Sequence, residues 1–497
     1  MDRRRFLNGC ALTGLLLASG LPSCSEPKSR LEWDFQKVSK ALQSGVVSPL
    51  DLVQEFQQRN SKLNPLLSCT VETHPNLEGE AKRIEITGPL SGWPILIKDN
   101  IATGDGMANS GGSLALADWR PREASTVVER LRKAGLLIAG KANMSEWANF
   151  RSTNSSSGWS ARGGQCRNPH ALNRSACGSS SGSAAAVAAG IVGLALGTET
   201  MGSIICPSSI CGIVGLKPTK DLVPTDGVIP GAHFTDCVGP MARSVEATAH
   251  LLNALTDSKI YHQALSKDAL KGKRIGVGRQ NFGFDRRVDA LMEEQILQLS
   301  KLGAKIVDPV EYSGWGVLGA DFLTVSSHEL KAGLDEYLSS LPPEIKVRSL
   351  QDVITFNLEH PEQEAMSYLG QQTFEAAVRT QGLQSEAYLQ ALKRLKAHCN
   401  LEQVLAEKSL DAILAPSNGP AWTIDFVNGD HFEGGSAASP AIAGVPHITV
   451  PCGAVHKLPI GLSLFGPKHS EPVLLAMAYA FEQATQARLD PGFTKFI

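Results

Sequence analysis

The feature that most constrains this chain is the run C-G-S-S-S-G-S-A-A-A-V-A-A-G over residues 177–190. Its first half closes a stretch, residues 158–182, that is rich in glycine, serine and asparagine and poor in apolar residues, the composition of a flexible linker. The residues that follow exclude a linker. Residues 183–190 are alanine-rich and read as helix, residues 191–197 read as a compact buried strand, and Gly202-Ser203 falls in the loop beyond it. Small residues placed between core segments belong inside a fold, where backbone must approach backbone or substrate closely.

The flanking sequence alternates helix and strand signals. Residues 38–58 read as two amphipathic helices, the second with Ser48 as N-cap and Pro49 in its first turn. Residues 95–97 read as a short buried strand, residues 126–134 as a helix opened by Ser125, and residues 136–138 as a strand closed by Gly140. After a helix ending near Leu255, the polar stretch 261–272 reads as an excursion and not a domain boundary. The buried strands expected at residues 274–277, 411–416 and 447–451 need partners from the first half of the chain. Residues 359–384 read as a charged helical region covering the sheet. A chain of 497 residues, 42% hydrophobic, can bury the large core this requires. The expectation is one α/β domain over residues 30–497.

The N-terminus reads differently. Arg3, Arg4 and Arg5 precede an apolar run, residues 10–21, too short to span a bilayer comfortably, so residues 1–24 read as a signal peptide. The string R-R-R-F-L resembles the twin-arginine export signal, which implies a periplasmic protein; a short membrane anchor is the alternative reading. L-P-S-C, ending at Cys24, resembles a lipoprotein cleavage site with Cys24 as the acylated residue. Lys and Arg total 47 against 49 Asp and Glu, a balance that disfavours a nucleic-acid partner. Of ten cysteines, Cys10 and Cys24 belong to the leader; Cys166 with Cys177, or Cys206 with Cys211, could close short loops, and spacing does not decide whether either does. The 12 histidines form no metal-ligand spacing with cysteine or glutamate, so no cofactor or metal is expected.

Three segments carry chemistry: G-P-L-S-G-W-P-I-L-I-K-D-N ending at Asn100, the run at 177–190, and G-T-E-T-M-G-S-I-I-C-P ending at Pro207. Together with G-L-K-P-T at 215–219, G-P-M-A-R-S-V at 239–245 and S-A-A-S-P-A-I-A-G-V-P at 436–446, they resemble the amidase signature family over nearly all of the mature chain, and the bacterial peptide amidases in particular. The resemblance implies a large mixed central β-sheet with helices on both faces and the site at one edge of its central strands, with a nucleophile at Ser203, a bridging serine at Ser179 after a cis peptide bond from Gly178, and a base at Lys98. It also implies an oxyanion hole from the backbone of Thr200, Met201 and Gly202, with Ser180 as support beside the bridge. The roles are physically coherent. A serine hydroxyl needs a base at neutral pH, and lysine serves only if burial holds it neutral. Each well-placed N–H can stabilise a developing oxyanion by about 3 kcal/mol.

Asp99, beside the lysine, reads as a structural hydrogen-bond acceptor. Met201 departs from the family, where both residues before the nucleophile are commonly glycine, and should reshape the pocket. Ile205 and Cys206 stand where an arginine often follows, which removes a carboxylate anchor. Taken singly, a lysine after a strand is usually solvent-facing and serines among glycines are usually turn formers; their joint occurrence in long matching contexts outweighs those readings. Gly178 to Gly182 also fits the G-x-S-x-G nucleophile elbow, but residues 168–177 are polar and interrupted by Pro169, so the required strand is missing. The expected function is an exported amidase that hydrolyses peptide C-terminal amides or small amides. The alternatives are a glutaminase subunit of a tRNA-dependent amidotransferase and a non-catalytic exported binding protein.

Overall fold

In chain order the strands are β1 Thr70–Thr73, β2 Pro94–Lys98, β3 Leu137–Ala142, β4 Trp159–Ser160, β5 Gly164–Gln165, β6 Leu194–Glu199, β7 Val214–Lys217, β8 Cys237–Ala242, β9 Arg274–Val277, β10 Lys305–Val307, β11 Ala412–Pro416, β12 His447–Val455 and β13 Leu458–Phe465. The computed structural model describes residues 29–496, so the readings at Arg3, Arg4, Arg5 and Cys24 lie outside the described residues. β4 and β5 form a small hairpin; the other strands make one 11-stranded sheet in the order β1-β3-β2-β6-β8-β7-β12-β13-β11-β9-β10. β2 runs parallel to both β3 and β6, whereas β8, β7, β12, β13 and β11 succeed one another antiparallel. β9 and β10, beyond the polar excursion, extend the same sheet through β11, so one mixed sheet spans the chain.

Strands β2, β3, β6, β8, β11 and β13 are buried at every residue, which demands cover on both faces of the sheet. Helices supply it. The helix Ser181–Ala188 is buried at all 8 of its residues, which is why it is built from serine, glycine and alanine. A Cβ on Gly182 would stand 2.3 Å from the Cys69 carbonyl oxygen and 2.5 Å from the Asn143 nitrogen. This helix begins two residues earlier than the alanine content suggests, and β6 begins only at Leu194. Gly190, at φ +67°, ends the helix, and Gly193 packs so tightly on the Trp93 ring that a Cβ there would lie 2.6 Å from it.

Other boundaries move for similar reasons. The second N-terminal helix, Pro49–Leu67, is capped by Ser48 in a reciprocal capping box with Asp51 and runs well past residue 58. β3 continues through Gly140 instead of stopping there, because β1 pairs with it antiparallel and the missing side chain makes room for the Glu72 carbonyl at a bulge. In the charged region 359–384, Glu359 ends one helix and Gln372–Val378 forms another, and the rest is turn and irregular chain. The cover is made chiefly by Trp315–Ser340, Leu350–Glu359 and Glu386–His398, whose apolar faces pack on Trp147 and Ile229 in one cluster and on Met201, Phe234 and Ile442 in another.

Candidate active site

The ladder between β2 and β6 sets Ile97 opposite Leu196, so Lys98 emerges at the strand end alongside Gly197 and Thr198. Its side chain is fully buried. Nζ lies 2.7 Å from Ser179 Oγ, 3.0 Å from the Thr198 carbonyl oxygen and 2.8 Å from Thr198 Oγ1. Burial drives the Lys98 amine well below the ordinary lysine value, against the opposing pull of the Asp236 and Glu199 carboxylates. The Thr198 carbonyl can only accept, and Thr198 Oγ1 also receives a bond from Asn100 Nδ2 at 3.1 Å.

Ser179 follows a cis peptide bond from Gly178, as the resemblance implies. Glycine is required at 178 by space: a Cβ would sit 2.0 Å from Ser145 Oγ. The Ser179 carbonyl accepts from the Ser145 N–H at 3.0 Å, which fixes the turn from the other side. Ser180 caps the helix Ser181–Ala188 without a capping bond, because its hydroxyl is used elsewhere. Ser180 Oγ donates to the Thr198 carbonyl at 3.1 Å and accepts from the Thr198 N–H at 3.3 Å. Gly197 permits that approach, since a Cβ there would meet Ser180 Oγ at 2.8 Å. Ser180 N–H donates to the Ser203 carbonyl at 3.2 Å, so the loop after β6 is tied to the turn that carries Ser179. Lys98 and Ser179 are thus in hydrogen-bond contact, and Ser203 is joined to the Ser179 turn through its carbonyl.

Ser203 itself is buried, in the turn before the helix Ile205–Cys211. The N–H groups of Thr200, Met201 and Gly202 take part in no hydrogen bond among the described residues, and Gly202 has φ +79°. Met201 is half-buried and packs with Phe234 against Leu318, Phe322 and Ile442, so its side chain forms an apolar wall beside the nucleophile loop. Asp99 points away from this centre. It accepts from Ser110 Oγ, from Gly112 N–H at 3.2 Å and from Arg162 Nη1 at 2.7 Å, the pattern of a structural acceptor.

Four groups at the site are not singled out by the sequence. Thr198 and Asn100 organise the lysine. Glu199 Oε2 accepts the N–H groups of Ile204 at 2.7 Å and Ile205 at 3.0 Å, clamping the nucleophile turn. Asp236 receives Thr200 Oγ1 at 2.5 Å and the Gly231 N–H at 2.8 Å, and burial raises its carboxyl. Glu199 stands inside the quoted G-T-E-T string and is visible there; Asp236 arrives from a separate loop with no local signal. The cysteines also correct the expectation. Cys177 is bonded to Cys206, while Cys166 and Cys211 are free buried thiols. Neither short loop is closed, because Cys177 and Cys206 face each other across the turns that carry Ser179 and Ser203.

The amidase family model matches residues 51–475. The chain is 36% identical over 471 residues to a probable amidase of Arabidopsis thaliana, covering 89% of this chain and 88% of that protein. It is 33% identical to a glutamyl-tRNA(Gln) amidotransferase subunit of Exiguobacterium sibiricum, covering 92% of this chain and 98% of that one. Among solved structures it superimposes on the native peptide amidase of Stenotrophomonas maltophilia with TM-score 0.86 and 40% identity, covering 93% of this chain and 99% of that one.

Proposed function

The chain belongs to the amidase family, hydrolases of amide C–N bonds, and we propose that it converts peptide C-terminal amides or small carboxamides to acid and ammonia or amine through Ser203, Ser179 and Lys98. The observation that carries this reading is the buried Lys98 amine 2.7 Å from Ser179 Oγ, on a turn bonded to Ser203. Ser203 Oγ attacks the carbonyl carbon and passes its proton to Ser179, whose own proton goes to the lone pair of Lys98. The oxyanion is received by the N–H groups at Thr200, Met201 and Gly202. Collapse of the tetrahedral species returns the proton along the same path to the leaving nitrogen. Water then repeats the sequence on the acyl-enzyme and releases the acid.

Similarity to a peptide amidase over nearly the full length of both chains supports amidated peptides as substrates. The test is ammonia release from a panel of C-terminally amidated peptides, simple aliphatic and aromatic amides, and free glutamine. Release from the amides, abolished by Ser203→Ala, is expected; silence toward every amide overturns the proposal. Similarity to a subunit of an amidotransferase favours a second reading, glutamine as the ammonia source, which release from glutamine alone would establish. The apolar wall at Met201 and the lack of an arginine after Ser203 weigh against it, since free glutamine brings a carboxylate to be bound.

The twin-arginine resemblance of residues 3–7 supports a periplasmic setting for this chemistry. Replacing Arg4 and Arg5 by lysine should strand the precursor in the cytoplasm, as followed by fractionation; undisturbed delivery contradicts that route. Cys24→Ser separately tests a lipid anchor, since a lipoprotein would move from the membrane to the soluble fraction.

A further inference from the structure

We propose that the Cys177–Cys206 disulfide is a positioning device for the reaction, holding the bridging serine in register with the nucleophile; this rests on the roles given above to Ser179 and Ser203. The bond joins residues 29 apart in sequence with Cα atoms 6.1 Å apart. Cys177 stands two positions before Ser179, and Cys206 three after Ser203. The covalent link therefore closes directly across the two turns that carry the relay hydroxyls.

The local backbone shows how the restraint is transmitted. Cys177 has φ 55°, a left-handed conformation that L residues rarely adopt, so its neighbours must hold it there. Its N–H donates to Ser175 Oγ at 3.0 Å, its carbonyl accepts from Ser181 Oγ at 2.5 Å, and its side chain is the disulfide. On the other side, the Cys206 N–H donates to the Gly202 carbonyl at 2.8 Å in the first turn after the nucleophile. Displacement of Cys206 is thereby passed to Gly202 and Ser203. The noncovalent tie between the same turns is the bond from Ser180 N–H to the Ser203 carbonyl, at 3.2 Å near the long end of the range for such bonds. Proton transfer between two hydroxyls needs close contact, and a misplacement of about 1 Å can cost on the order of a hundredfold in rate. Removing the link should therefore lower the rate of chemistry and leave substrate binding largely alone.

The experiment uses the folded enzyme. A digest made without reductant should yield the peptides of Cys177 and Cys206 joined. Under native conditions a dithiol such as dithiothreitol gives the disulfide two electrons and two protons, producing two thiols while the dithiol closes to its own disulfide. After reduction, and in the Cys177→Ala/Cys206→Ala variant, kcat should fall about tenfold or more with KM changed less than about threefold. Reoxidation should restore kcat to the reduced wild type only. If the variant does not fold, the reversible reduction of wild type decides alone. A reduced enzyme or folded variant that keeps full kcat while melting at a lower temperature would show the bond to be merely stabilising, and would overturn the proposal. So would free thiols at both positions in fully active enzyme. Oxidised wild type that hydrolyses no amide would instead remove the underlying amidase reading.

Discussion

At Lys98 the protein places an ionisable side chain where its charged form is least welcome. The amine is enclosed and bonded to Ser179 and Thr198, and the nearby Glu199 and Asp236 carboxylates do not offset the loss of hydration. Only the neutral amine can take a proton from Ser179, so activity should grow as pH rises through the lysine's folded-state titration. That titration lies well below 10.5. The kcat/KM profile of the wild type should therefore climb to a plateau at a pH where free lysine is still charged. Lys98→Ala should lose that step and keep only a low activity that continues to rise with pH as hydroxide replaces the base. A wild-type profile unchanged by the substitution would remove Lys98 from the relay. Ser179→Ala should lose about 100-fold or more in kcat while retaining its circular dichroism spectrum.

At the scale of elements, the site is the meeting of two strand ends and two turns. β2 delivers Lys98, β6 delivers Thr198 and Glu199, and the helix Ser181–Ala188 delivers Ser179 and Ser180 just ahead of its first turn. Glu199 couples strand to turn by accepting two N–H groups at the start of the following helix. Glu199→Ala leaves both without that partner. A loss of about 2 kcal/mol in unfolding free energy is expected, together with reduced kcat, measured by urea unfolding and steady-state kinetics. Unchanged values for both would show that the turn holds itself. Much of this is legible in the sequence. Glycine and serine in the run at 177–190 announce close backbone approach, and Gly178, Gly182 and Gly197 are each positions where a Cβ would collide. What is not legible depends on distant partners. The true cysteine pairing is set by which turns face each other, Asp236 comes from another loop, and β3 ignores Gly140 because pairing with β1 outweighs a local turn signal.

At the scale of the molecule, a helical cover is tied to the sheet domain through a buried charge cluster that the sequence does not disclose. Arg151 Nη1 lies 2.8 Å from Glu146 and 3.0 Å from Glu364, which belongs to the turns joining the cover helices. Burial raises both carboxyls, and for Glu364 the neighbouring Glu146 adds to the rise. A carboxyl raised on folding contributes stability that is complete below its unfolded value, near 4.5, and is lost as pH rises through the folded one. The contribution of Glu364 to the melting temperature should accordingly shrink between pH 4.5 and about 9, and the difference between wild type and Glu364→Gln, which keeps the shape without the charge, should change over that range; parallel curves for the two proteins would contradict it. The proposed role of Ser203 as nucleophile is the central claim. The measurement that tests it most directly is mass spectrometry of the enzyme quenched during turnover of an amidated peptide and then digested. The expected result is the acyl group of the substrate on the peptide containing Ser203, absent from Ser203→Ala. An acyl group on Ser179 or Ser180, or ammonia released at full rate by Ser203→Ala, would contradict the account.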